Sequence, residues 1–153
     1  MKPRKMVLIA DDEDFIRKLS SKILTREGFI TLLAENGEKA IEIYKQQGTN
    51  IELVILDIRM PGLSGIDVLK YIASHNPEAR VVFCSGYGEE DLPANHGDCF
   101  IQKPFSIDIF KESVRRVLTM SIEEIKKSNE RILNFNFPKE VLEGHFSEEN
   151  MPF

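Results

Sequence analysis

From residue 6 to residue 118 the chain alternates short apolar runs with longer amphipathic stretches. The runs Val7–Ala10, Phe29–Leu33, Ile51–Leu56, Val81–Cys84 and Cys99–Ile101 have the length and composition of strands. The third is apolar at nearly every position, which predicts a strand covered on both faces, as in a parallel sheet between helices. The stretches between the runs carry apolar residues at helical spacing. Phe15, Ile16, Leu19, Ile23 and Leu24 predict a helix from Asp12 to Arg26, with Asp12 available as its cap and Gly28 ending it. Asn36-Gly37 opens a second helix with Ala40, Ile43 and Tyr44 facing inward. Pro61-Gly62 makes a turn, and Ile66, Leu69, Ile72 and Ala73 mark a third helix. The last begins near Ser106 and carries Ile107, Phe110, Val114, Val117 and Leu118.

Strands that alternate with helices predict a doubly wound α/β fold. Right-handed crossovers in such a fold place ligands beyond the carboxyl ends of the strands. Reactive side chains therefore belong just after each run, and Asp11, Asp12, Asp57, Ser85 and Lys103 stand there. Carboxylates converging to about 5 Å repel by roughly 3 kcal/mol per pair at an effective dielectric of about 20. Such a cluster persists only where a proton or a cation offsets it. Oxygen donors favour Mg²⁺, which keeps several waters and leaves room for a phosphoryl oxygen. A facing lysine can neutralise charge on that group, and a serine hydroxyl can hydrogen-bond to it. Asp57 then has the role of a nucleophile forming an acyl phosphate, with catalysis by positioning and charge stabilisation.

Four segments carry a family resemblance: Ile9-Ala10-Asp11-Asp12, the stretch from Val54 to Gly62 through Asp57, Phe83-Cys84-Ser85-Gly86, and Ile101-Gln102-Lys103-Pro104-Phe105. In order and each at a strand end, they resemble the motifs of receiver domains from two-component response regulators. The resemblance implies a flavodoxin-like five-stranded parallel sheet in the order 2-1-3-4-5. It also implies that Asp57 accepts a phosphoryl group from a phosphohistidine on a sensor histidine kinase or a histidine phosphotransfer protein. By the same resemblance Mg²⁺ is held by Asp12 directly, by Asp11 through water, by Asp57 and by the backbone carbonyl of Arg59. Lys103 pairs with the phosphoryl oxygens, and the Lys103-Pro104 bond is cis. Ser85 and Phe100 are the switch pair, and Arg59 and Tyr87 modulate the lifetime of the phosphorylated state. The implied protein is a cytoplasmic phosphoacceptor with self-catalysed phosphotransfer and autodephosphorylation rather than an enzyme, acting on a downstream protein effector that the sequence does not name.

One stretch departs from the family. Ser85 and Lys103 are closer in sequence than usual, by roughly one helical turn. The intervening residues 86–98 hold Gly86, Gly88, Pro93 and Gly97 and few apolar anchors. Proline inside a helix costs about 3 kcal/mol, so the fourth helix of the family is expected to be short or absent here. The receiver unit is expected to span residues 1–118.

Residues 119–153 lie beyond the resemblance. Ile122, Ile125, Ile132 and Leu133 continue the helical spacing past Leu118, which predicts one helix running to about Phe135. Beyond it, Pro138, Gly144 and Pro152 predict irregular chain with a short helix around Lys139 to Glu143. This extension has three roles open to it: dimerising with a second copy, docking on a partner, or folding back on the receiver.

Composition narrows the partners. Net charge is −5 over 153 residues, and the extension holds four basic and seven acidic side chains, so neither favours nucleic acid. The apolar run Met6–Ala10 is too short for a membrane span or a signal-peptide core. Cys84 and Cys99 lack metal or redox spacing and are expected as reduced core thiols. A phosphohydrolase that also forms an aspartyl phosphate is the competing reading, but such enzymes resemble one another in a second aspartate two residues after the nucleophile, where this chain has Arg59. A flavin-binding module of similar topology needs a phosphate-cradling loop where Asp11 and Asp12 stand, and these would repel phosphate.

Overall fold

The computed structural model describes residues 4–93 and 99–142. Residues 143–153 and 94–98, including His96 and the expected irregular tail, lie outside the described residues. Five parallel strands, β1 (Met6–Ala10), β2 (Ile30–Ala34), β3 (Ile51–Asp57), β4 (Val81–Ser85) and β5 (Phe100–Gln102), form one sheet in the order β2-β1-β3-β4-β5. The central strands are buried on both faces: Val7, Leu8, Leu53, Leu56, Val82 and Phe83 have no exposed surface. This is the pattern expected of a sheet between two helical layers. One layer contains α1 (Asp14–Arg26) and α4 (Ile107–Thr119), which touch each other. The other contains α2 (Gly37–Gln47), α3 (Gly65–His75) and α5 (Ile122–Asn134), with α3 in contact with both neighbours.

Local chemistry sets the ends of the helices. Asn36, Ser64, Ser106 and Ser121 each cap a helix by accepting from a backbone N–H of the first turn. Asp12 does not cap α1 as expected. The cap is Glu13, whose side chain makes no cap bond, and the Glu13 N–H donates instead to Asp11 Oδ1 at 2.9 Å. That arrangement leaves the Asp12 carboxylate outside the helix. Gly28, at φ 95°, ends α1 in a backbone region that side chains disfavour.

The C-terminal part differs from one continuous helix. The chain leaves α4 at Thr119, and Met120 and Ser121 are extended. The guanidinium of Arg80 donates to the carbonyls of Val117 and Met120 at 2.6 and 2.8 Å, satisfying acceptors that the end of α4 leaves open. Ser121 and Glu124 then form a reciprocal capping box that starts α5 in a new direction. A short α6 (Lys139–Leu142) follows.

Between β4 and β5 the described residues hold only a 3-10 turn, Glu89–Asp91. Helix α5 covers that flank of the sheet instead. Its Ile125, Ser128, Asn129 and Ile132 are buried. Asn129 Nδ2 donates to the carbonyls of Pro77 and Ala79 at 3.1 and 3.0 Å, and Ser128 Oγ lies 3.1 Å from Cys99 Sγ. The apolar face available for a dimer of C-terminal helices is therefore folded back on the receiver. Among the described residues no helix is long and apolar enough to cross a membrane.

Candidate functional site

Two neighbouring strand ends bring the acidic cluster together. Asp57 is the last residue of β3, and Asp11 and Asp12 follow β1 directly. Strand pairing of Ala10 with Leu56 brings the ends of β1 and β3 side by side. One carboxylate oxygen from each of Asp11, Asp12 and Asp57 lies within 4.8 Å of the others. Asp11 and Asp57 are buried, and Asp12 is half-buried.

Lys103, just past β5, reaches across the sheet edge. Its Nζ lies 2.8 Å from Asp11 Oδ2, 3.2 Å from Glu13 Oε1 and 3.3 Å from Asp57 Oδ2. The Lys103–Pro104 bond is cis. Burial alone would depress the lysine, but Asp57, Asp11 and Glu13 hold its ammonium above the ordinary range. Burial pushes Asp57 up to about 8, and the charge of Asp11 adds to it while Lys103 opposes it. Burial also raises Asp11, against the hydrogen bond and charge of Lys103. One ammonium thus fails to balance the carboxylates around it. The donor set is all oxygen, the geometry leaves room between the groups, and the uncompensated charge is negative. These residues fit a hard divalent cation of the Mg²⁺ type.

The remaining expected residues are placed less directly. Ser85 is buried at the end of β4, and its Oγ accepts from the Tyr87 N–H at 3.1 Å, so it faces its own loop. Phe100 opens β5 with its ring stacked on Phe83 at 5.2 Å between centroids, inside the core. Arg59 and Tyr87 come together through an Arg59 Nη1 to Tyr87 hydroxyl hydrogen bond. Both line a cavity of about 440 Å³ with Asp12, Asp57, Gly86 and Lys103. Cys84 is the strand neighbour of Asp57, and burial pushes its thiol up to about 12, so it stays neutral beside the cluster.

Sequence reasoning missed two residues. Glu13 is a third carboxylate on Lys103, and its only signal was its place in the acidic run Asp11–Asp14. Gly65 is the other. A Cβ there would meet the Asp57 carbonyl oxygen at 2.3 Å. The Gly65 N–H donates to the Ile58 carbonyl at 2.7 Å, so α3 starts in contact with the strand end that carries the acceptor. A glycine three residues after the Pro61-Gly62 turn is the signal that could have found it.

With this geometry in place, comparison with known proteins is specific. A model of the response regulator receiver domain matches residues 7–115. The chemotaxis protein CheY of Bacillus subtilis (strain 168) is 37% identical over 118 residues, which span 73% of this chain and 96% of that one. Sporulation initiation phosphotransferase F of the same organism is 32% identical over 118 residues, covering 74% and 94%. The CheX-CheY-BeF3-Mg²⁺ complex from Borrelia burgdorferi contains a chain similar at TM-score 0.70 and 36% identity, covering 76% of this chain and 90% of that one.

Proposed function

This chain belongs to the response regulator receiver domain family, and from that membership we propose that Asp57 is the residue that accepts the phosphoryl group, with Lys103, Ser85 and the neighbouring acidic residues in supporting roles. The protein is a phospho-accepting receiver of two-component signalling. The observation that carries the assignment is the clustering of the Asp11, Asp12 and Asp57 carboxylates, two of which, Asp11 and Asp57, also meet the ammonium of Lys103.

In the proposed reaction a carboxylate oxygen of Asp57 attacks phosphorus in line with the P–N bond of a phosphohistidine. The P–O bond forms as the P–N bond breaks, and the departing imidazole keeps the electron pair and takes a proton from solvent. The donor is a sensor histidine kinase or a histidine phosphotransfer protein. Asp11, Asp12, Asp57 and the Arg59 carbonyl would hold Mg²⁺, which when bound offsets negative charge on the phosphoryl oxygens. Lys103 is already poised over Asp57 and supplies the second cation. Ser85 turns from the Tyr87 N–H toward a phosphoryl oxygen, and the space it leaves admits Phe100 from its stack on Phe83. The new charge thereby biases a two-state equilibrium that a downstream protein effector reads.

A phosphohydrolase is not favoured. The position two residues after Asp57 holds not a carboxyl group but the guanidinium of Arg59, hydrogen-bonded to the Tyr87 phenol. We assign residues 1–118 to the receiver unit and 119–153 to an extension, whose described residues, to Leu142, fold back on it. Incubation with a small acyl-phosphate donor, with and without Mg²⁺, followed by intact mass, tests the proposal. One added phosphoryl group is expected, dependent on metal and lost in Asp57→Asn. Equal loading of Asp57→Asn would reject it.

A further inference from the structure

The extension does more than cover the sheet. It is tied to the strand starts at Asn129, and it reaches the strand ends at α6. There the Tyr87 hydroxyl, which accepts from Arg59 Nη1, donates to the Glu140 carbonyl at 2.8 Å. Two apolar anchors fix that segment: Val141 is 1% exposed and Phe137 7%. A relay thus runs from the C-terminal segment through Tyr87 to Arg59, in the wall of the cavity that holds Asp57. The guanidinium also keeps one donor in reserve, because Arg59 Nε is buried with no acceptor among the described residues.

We infer that the segment Phe137–Leu142 is a positioning element for hydrolysis of the phosphorylated receiver, holding Tyr87 and through it Arg59 across the route by which water reaches phosphorus at Asp57. This rests on the assignment of Asp57 as acceptor. In the step concerned, a water oxygen bonds to phosphorus and the bond from phosphorus to Asp57 breaks. The electron pair stays on the carboxylate, and both water protons leave with inorganic phosphate. Arg59 and Tyr87 screen that approach while the segment is docked.

The test uses the full chain loaded from acetyl phosphate with Mg²⁺, with decay followed by intact mass after the donor is removed. Val141→Asp, which undocks the segment, and Tyr87→Phe, which removes the relay but keeps the ring, should each shorten the phosphate lifetime by roughly fivefold or more. The double variant should decay no faster than either, and Val141→Ile should decay like the unmodified chain. Unchanged decay in Tyr87→Phe, or additive effects in the double variant, overturns the inference. Should Val141→Asp fail to fold, hydrogen exchange decides: amides of 137–142 should exchange faster in Tyr87→Phe than in the unmodified chain, because the Tyr87 hydroxyl ties the segment down, and equal exchange overturns it. A complete failure of the unmodified chain to gain phosphoryl mass is a different result, and it sinks the assignment of Asp57 itself.

Discussion

The carboxyl group of Asp57 keeps its proton up to about pH 8, because burial and the charge of Asp11 oppose ionisation more than Lys103 assists it. Its folded-state value lies above the ordinary 3.8, so the metal-free folded protein binds more protons than the unfolded chain between those limits. Stability without metal should therefore fall as pH rises from about 4 to 8. Urea melts at pH 5 and pH 8 check this. Mg²⁺ should recover the loss at pH 8 and do little at pH 5, since ligand binding stabilises the folded state by mass action. Asp57→Asn should flatten the pH slope and gain on the order of a few kcal/mol at pH 8 in metal-free buffer. Gly65→Ala tests the backbone beside it. With Asp57 O only 2.3 Å from the new Cβ, α3 must shift, at a cost of roughly 1–3 kcal/mol in the same melts. At this scale the motif residues were legible because each sits at a strand end, where topology alone decides who meets whom. Glu13 and Gly65 were not, since their roles come from a side-chain reach and a backbone approach that leave no periodic trace.

Among the elements, the break between α4 and α5 shows how spacing misleads. Ile122 and Ile125 keep a helical interval with Leu118, yet Ile122 is exposed and Ile125 buried. The deciding signal was Ser121-Ile122-Glu123-Glu124, a capping-box pattern inside what looked like one amphipathic run. Ser121→Ala should cost about 1 kcal/mol in a thermal melt. Asn129→Ala should cost more, about 2 kcal/mol, because two buried carbonyls, those of Pro77 and Ala79, lose their donor. The short β4–β5 connection was readable from Gly86, Gly88 and Pro93. What would stand in its place was not, since no local pattern points from Asn129 to a loop 50 residues earlier.

For the molecule as a whole, the layering followed from the alternation of runs and the sheet order from the family resemblance, and the extension is the part that neither could place. Ile125, Ile132, Phe137 and Val141 bury their side chains against the receiver. At about 1.5–3 kcal/mol for each such side chain, the four together contribute roughly 6–12 kcal/mol of burial that removing the extension would forfeit, comparable to the stability of an ordinary domain. A chain stopped after Thr119 should melt well below the full chain and bind a hydrophobic dye in its native state. Equal melting temperatures would show that the extension is an ornament.

The position of Asn129 in the chain also bears on how the protein is made. By the time a ribosome has released Gln102, all five strands are outside and free to pair, but the helix that shields their flank is still in the exit tunnel. The nascent receiver waits with Cys99 and the start of β4 uncovered until α5 emerges and docks there.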